Sequence, residues 1–331
     1  MLSAPPNRGQ ILELMAAFRP ACVIGGAAEL GVFELLSQQS LDAATIAARL
    51  GADLRGTVML LDAVAALGLL HKQDDRYTLP AELQPLLGSG AHSILPMVFH
   101  SMNIMRGWIE VARVAKSGRP GPRLASLRGA EADRAAFVAA MHTVSGPVAE
   151  GLVARLGPPR LRRLLDVGGA SGTWTAAFLN AVPDATAILF DLPDAIQQAQ
   201  ARLAGAPLQS RVTLAAGDFY RDELPRGADY AWVSAIIHQH SRQHSRELYA
   251  RIYRALESGG TIGIRDLVME PDRTRPLLGA LFAINMLVNT ETGMTYTFQE
   301  IAEDLQSAGF VEPRLSIPSD DMHAVVEARR P

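Results

Sequence analysis

The stretch Leu164-Leu165-Asp166-Val167-Gly168-Gly169-Ala170-Ser171-Gly172-Thr173 decides the fold. Its first four residues read as a buried strand, the glycines as a tight loop, and the chain from Thr173 as a helix. Glycines at such a junction let the backbone turn sharply and come close to a ligand. The same alternation continues downstream. Residues 187–191, 212–215, 231–237 and 261–264 read as further strands, with helical segments between them. That pattern predicts an α/β domain with a parallel, doubly wound, Rossmann-like sheet. Thr297-Phe298-Gln299-Glu300 has capping-box spacing and opens a helix reaching Ala308. A closing strand pair near 313–317 and 323–327 completes the sheet.

Upstream of this domain the pattern is helical. Residues 12–36 read as a helix apolar on more than one face. Asp42 suits an N-cap for a helix that Gly51 ends, and a second helix runs over 53–67, with Leu54, Val58, Leu61, Val64 and Leu67 at spacings of three and four. Leu69-Leu70-His71 and Arg76-Tyr77-Thr78-Leu79 flank the turn pair Asp74-Asp75. Helix, turn, helix and hairpin together make a winged-helix pattern. A DNA-recognition helix needs several cations, and this second helix carries only Arg55, so packing against a second copy of the chain is the expectation instead. Residues 91–156 read as long helices broken at 117–122. They carry Met97, Phe99, Met102, Met105, Trp108, Phe137 and Met141, a set that suits either a core or the wall of an apolar pocket. The expected organisation is 1–90 as a winged-helix-like dimerisation domain, 91–156 as linker and pocket helices, and 157–331 as the Rossmann-like domain.

The 331 residues, 48% of them hydrophobic and 20% charged, fit two soluble domains. A net charge of -3 argues against nucleic acid as a partner. The single Cys22 excludes an internal disulfide and a cysteine-built zinc site, and its apolar neighbours suggest a buried thiol. Met1-Leu2-Ser3-Ala4-Pro5-Pro6 lacks the pattern of a signal peptide, and 277–288, the longest apolar run, is too short to span a membrane. A cytoplasmic protein is expected.

Asp191 ends the second strand, where a carboxylate can accept from both hydroxyls of a ribose. Gly217-Asp218-Phe219 follows the third, an acid and an aromatic suited to an adenine ring. A dinucleotide loop normally reads G-x-G-x-x-G and welcomes pyrophosphate. Here the glycines are adjacent and Asp166 stands at the strand end, where negative charge suits a cationic ligand. That tips the expected cofactor from NAD to S-adenosylmethionine.

The fourth strand runs into Ile236-Ile237-His238-Gln239-His240-Ser241, which brings His238 to the carboxyl edge of the sheet, where ligands bind. Asp266 ends the neighbouring strand and is positioned to polarise that imidazole. A phenol and an ordinary histidine differ by roughly 3.5 pKa units, about 4.8 kcal/mol for full deprotonation, so proton removal concerted with attack is the economical route. His238, His240 and His244 do not match a metal-binding helix spacing, and no metal is expected.

In combination these segments resemble the small-molecule O-methyltransferases that include plant caffeic-acid and isoflavone enzymes and bacterial polyketide-tailoring enzymes. Residues 27–33 and 61–70 resemble that family's dimerisation domain, and 165–169, 190–193 and 217–219 its cofactor motifs. The resemblance implies a methyltransferase sheet, a homodimer, a small-molecule acceptor in secondary metabolism, His238 as catalytic base and Asp266 as its acidic helper. It also implies cofactor contacts from Asp166, Gly168, Gly169, Asp191, Leu192, Asp218, Phe219 and the position of Ser234. Trp108, Phe137, Met141, Asn285, Met286 and Asn289 are the expected pocket residues, with Asn285 and Asn289 orienting a polar edge. The chain departs from the family where His-Asp-Trp becomes His238-Gln239-His240, where a basic residue becomes Ser234, and where a second acid falls at Thr295. N- or C-methylation, or a cofactor-binding relative or regulator without methyl transfer, are the alternatives.

Overall fold

In the computed structural model, which describes residues 5–90, 92–157 and 161–331, capping side chains mark where the N-terminal helices begin. Residues 1–4, and with them most of the stretch read for a signal peptide, lie outside the described residues. Asn7 forms a capping box with Gln10 at the start of α1 (Arg8–Ala16). Helices α2 (Phe18–Leu30) and α3 (Val32–Leu36) follow. The one helix expected over 12–36 is therefore three, parted at Ala17 and at Gly31, which adopts the left-handed C-cap conformation. Strand β1 (Leu41–Asp42) leads into α4 (Ala43–Leu50), where Asp42 accepts from the Thr45 amide at 2.8 Å. Asp53 likewise caps α5 (Leu54–Ala66) through the Gly56 amide. The hairpin is β2 (His71–Gln73) and β3 (Arg76–Thr78), which pairs β1 on its other side. Leu69 and Leu70 lie outside the expected first strand because the Leu69 amide still bonds the Val64 carbonyl at the end of α5. Helices α6 (Gln84–Leu87), α7 (Leu95–Trp108), α8 (Val111–Ser117) and α9 (Ala130–Leu156) complete this half of the chain, with the expected break between α8 and α9.

The chain separates into two compact units, one of residues up to 105 with 124–143, the other of 106–123 with 144–331. The helical stretch 91–156 is divided between them. The first unit centres on Phe33, Leu36, Ile46, Leu61, Val64 and Tyr77, all buried. On α1, by contrast, Leu12, Leu14 and Met15 are 54%, 69% and 70% exposed. Cys22 is exposed, contrary to the buried thiol expected. The core-facing residues of α2 are Gly25, Ala27 and Ala28, and its first turns lie beyond that core. Two helical stretches longer than 277–288, at 8–30 and 130–156, reach the length and apolar content of a membrane span. The first is parted at Ala17 and carries Arg19, and both are mostly unburied.

The second unit is built on β4 (Arg163–Val167), α10 (Thr173–Ala181), β5 (Thr186–Asp191), α11 (Pro193–Leu203), β6 (Val212–Ala216), β7 (Ala228–Ser234), α12 (Arg242–Ala255) and β8 (Leu256–Asp266). There follow β9 (Val268–Met269), α13 (Leu277–Asn289), β10 (Tyr296–Thr297), α14 (Phe298–Ser307), β11 (Val311–Ile317) and β12 (Ala324–Arg329). Seven strands form one sheet in the order β11-β12-β8-β7-β4-β5-β6. The five strands from β8 to β6 are parallel, and β12 and β11 add an antiparallel edge. Chain order reverses between β4 and β7, so the carboxyl ends of those two strands flank the switch point where open α/β sheets bind ligands. Alternate residues of each strand feed one of two apolar layers. Val167, Val233 and Ile264 pack on α12 and α14, while Leu164, Trp232 and Val325 pack on α9 and α10.

Candidate active site

The site begins at the loop after β4. Gly168 has φ 71°, a region that glycine enters without strain. A Cβ there would lie 2.7 Å from Ile236 Cδ1 and 3.8 Å from the Phe219 ring. Three segments far apart in sequence therefore close on this one backbone atom. The Cβ of any residue replacing Gly169 would meet the Asp166 carboxyl at 2.9 Å and Leu189 at 2.8 Å. Asp166 is 1% exposed, and its Oδ2 accepts from the Thr175 amide at 3.1 Å and the Thr175 hydroxyl at 2.6 Å. Burial pushes its pKa up to about 7 despite those two hydrogen bonds. The expectation that Asp166 presents charge to a ligand does not match this geometry. Its carboxyl lies under the loop and ties the strand to the first turn of α10.

Asp191, at the end of β5, is only partly buried. Oδ2 accepts from the Ala170 amide and Oδ1 from the Leu192 amide, both at 2.7 Å, and burial raises its pKa. Asp218 Oδ1 accepts from the Tyr220 amide at 2.9 Å, and Phe219 packs against the core layer below. Ser234 Oγ accepts from Arg265 Nη1 at 3.0 Å.

The catalytic candidates meet as the strand ends imply. His238 lies in a 3₁₀ turn over Ile237–Gln239, and its Nδ1 is 2.8 Å from Asp266 Oδ1 and 3.0 Å from Oδ2. The two residues are 6% and 1% exposed. Asp266 also accepts from the Leu267 amide at 2.8 Å. Backbone donors thus orient the carboxylate, and the carboxylate orients the ring, with Nδ1–H donating and Nε2 left with its lone pair. Phe282 of α13 packs edge-on to the imidazole at 4.9 Å between centroids, a contact between residues 44 positions apart. His240 turns away from His238. Its ring meets Tyr220, whose hydroxyl lies within hydrogen-bonding reach, and the Tyr296 hydroxyl donates to its carbonyl. Burial, then the neighbouring His244, pushes the His240 pKa down to about 4. A cavity of about 620 Å³ is lined by Gln239, His240, His244, Tyr220, Arg123 and Asn289 among others.

Of the expected pocket residues, Trp108 Nε1 donates to Asn285 Oδ1 at 2.9 Å, and Asn289 Nδ2 donates to the same atom at 2.9 Å. The Asn285 side-chain oxygen is thus already engaged within the protein, and Met286 beside it is buried. Phe137 and Met141 belong to the other compact unit, where the Phe137 ring packs on His100. Thr295, where a second acid was looked for, is buried, and its carbonyl accepts from Arg273 Nη1. Two further participants escaped the sequence reading: Thr175, which holds Asp166, and Arg265, which holds Ser234.

Comparison with known proteins now decides the identity. Residues 122–311 match the O-methyltransferase domain, and residues 12–81 match the O-methyltransferase dimerisation domain. The chain belongs to the O-methyltransferase family. It is 34% identical to the 3-hydroxy-5-methyl-1-naphthoate 3-O-methyltransferase of Streptomyces sahachiroi, over 87% of this chain and 85% of that one. It is 32% identical to the tetracenomycin polyketide synthesis 8-O-methyl transferase of Streptomyces glaucescens, over 94% of each. Among solved structures, human N-acetylserotonin methyltransferase in complex with S-adenosylmethionine superposes with a TM-score of 0.82 at 25% identity, covering 100% of this chain and 99% of that one. This O-methyltransferase uses S-adenosylmethionine. The residues present fit that cofactor: a glycine loop whose inner face a single Cβ would fill, and a carboxylate at the end of β5 fixed by two backbone amides.

Proposed function

We propose that this O-methyltransferase methylates a hydroxyl on a small aromatic molecule, with His238 as general base. The observation that carries the reading is the buried His238–Asp266 pair, on a turn whose Ile236 packs against the glycine loop. When bound, S-adenosylmethionine supplies a methyl group on a positively charged sulfur, and the electrons of the breaking carbon–sulfur bond stay with that sulfur. His238 Nε2 takes the acceptor's hydroxyl proton while the acceptor oxygen forms its new bond to carbon, so free phenolate never accumulates. Asp266 stabilises the imidazolium that results. The Phe282 ring, edge-on to the buried imidazole, limits the access of water to it.

We assign Asp191 to the ribose hydroxyls, Asp218 and Phe219 to the adenine, and Gly168, Gly169 and Leu192 to backbone and apolar contacts around it. Asp166 acts on the cofactor only through the loop it braces. Trp108, Asn285, Met286 and Asn289 are assigned to the acceptor side. The exposed apolar side chains of α1 support a homodimer. A cytoplasmic enzyme of secondary metabolism completes the reading. Incubating the enzyme with methyl-labelled cofactor and a panel of phenols, catechols and arylamines tests it. The reading expects the label as an O-methyl resonance; label on nitrogen or carbon alone would overturn it.

A further inference from the structure

Arg265, on β8, is 1% exposed. A guanidinium carries five N–H donors and a permanent charge, and withdrawing it from water is costly unless an anion meets it. Its hydrogen bonds run to neutral groups. Nη1 donates to Ser234 Oγ at 3.0 Å, while Nε and Nη2 converge on His323 Nδ1 at 3.2 and 2.9 Å. Burial and the nearby Arg265 both depress the His323 pKa, and the two N–H donors converging on Nδ1 make that atom an acceptor. The Trp174 ring lies 4.9 Å from Arg265 Cζ. Two carboxylates act on Arg265 by charge, Asp266 and Asp321. Neither is the hydrogen-bond partner of its guanidinium. Asp266 projects from the opposite face of the strand to His238, and Asp321 accepts from the Ser319 hydroxyl and the His323 amide.

The location gives this underpaired cation a use. Val233 pairs with Val167, so Ser234 and Gly168 leave the sheet side by side at the switch point. Trp174 lies in the first turn of α10, where the Asp166 carboxyl accepts from the Thr175 amide and the other amides of the turn meet no capping side chain from Gly172. Arg265 therefore adds a fixed positive charge to the end of the crevice bounded by the glycine loop and the start of a helix.

We infer that Arg265 binds the carboxylate of the amino-acid moiety of S-adenosylmethionine, with Ser234 and His323 holding the guanidinium ready. The inference rests on S-adenosylmethionine as the cofactor, and the carboxylate is the one anionic group that molecule brings. Arg265 acts on binding, not on proton transfer.

Calorimetry with two ligands separates this role from a structural one. The ligands are S-adenosylhomocysteine and its decarboxylated form, which keeps the adenosine, sulfur and amino group. The native enzyme is expected to prefer S-adenosylhomocysteine by about 30-fold, the scale of a charge-assisted hydrogen bond. Arg265→Met is expected to lose most of that preference while binding the decarboxylated ligand within about threefold of native. Arg265→Lys, which keeps the charge, is expected to retain part of it. Equal affinity of the native enzyme for the two ligands would overturn the inference without recourse to any variant. So would an Arg265→Met enzyme that weakens both ligands alike, or neither.

Discussion

Replacing Asp266 by Asn tests how His238 is prepared for catalysis. The Leu267 amide donates to Oδ1 at 2.8 Å, so an asparagine at 266 keeps its oxygen there and turns its NH₂ toward the Oδ2 position. That position lies 3.0 Å from His238 Nδ1. The retained oxygen is itself 2.8 Å from Nδ1 and still accepts the ring N–H, so the substitution removes the negative charge and keeps the orientation of the imidazole. With charge centres about 4 Å apart and an effective dielectric of about 20, the carboxylate stabilises an imidazolium by about 4 kcal/mol. At about 1.4 kcal/mol per decade that corresponds to nearly 10³ in rate. Single-turnover measurement with labelled cofactor is expected to give a methyl-transfer rate lower by 10²–10³-fold, with S-adenosylhomocysteine affinity within about threefold of native. A rate loss under tenfold would refute the reasoning. So would an equal loss in cofactor affinity, which would make the pair a structural one.

Gly168→Ala forces Ile236 aside and holds alanine at φ 71°, and it is expected to weaken S-adenosylhomocysteine at least tenfold by calorimetry and to destabilise the fold by about 1–2 kcal/mol. Asp166, whose folded pKa is raised to about 7, makes a contribution to stability that is complete below about pH 4 and lost as pH rises through 7. Urea titrations at pH 5 and pH 8 should therefore show a smaller loss of stability with rising pH in Asp166→Asn than in the native enzyme, the difference being on the order of 2–3 kcal/mol. Met15→Lys, which sets a charge among the exposed apolar side chains of α1, is expected to shift the protein from dimer to monomer in light scattering.

The parts of this architecture that are local in sequence were legible beforehand. The glycine loop, the strand ends carrying Asp191 and Asp266, the turn after β7 that carries His238, and the caps at Asp42 and Thr297 each depend on a few adjacent residues. The break at Ala17 had a signal that the single-helix expectation passed over: Pro20, in the first turn of α2, lacks the N–H that would bond the Ala16 carbonyl. Asp166 was misread for a different reason. Its partner Thr175 lies nine residues on, across a loop whose conformation is set by packing against Leu189 and Ile236. The link between Trp108 and Asn285 spans 177 residues and leaves no periodic trace. Arg265 did leave one: a lone cation in an otherwise apolar strand end, facing away from Asp266 by simple alternation.

In the proposed mechanism His238 removes the acceptor's proton while the cofactor site stands independently of it. The most direct measurement is turnover and S-adenosylhomocysteine affinity of His238→Ala beside the native enzyme, with an acceptor that the native enzyme methylates on oxygen. Turnover is expected to fall by about 10²–10⁴-fold with affinity unchanged within about twofold. Turnover within tenfold of native would contradict the mechanism.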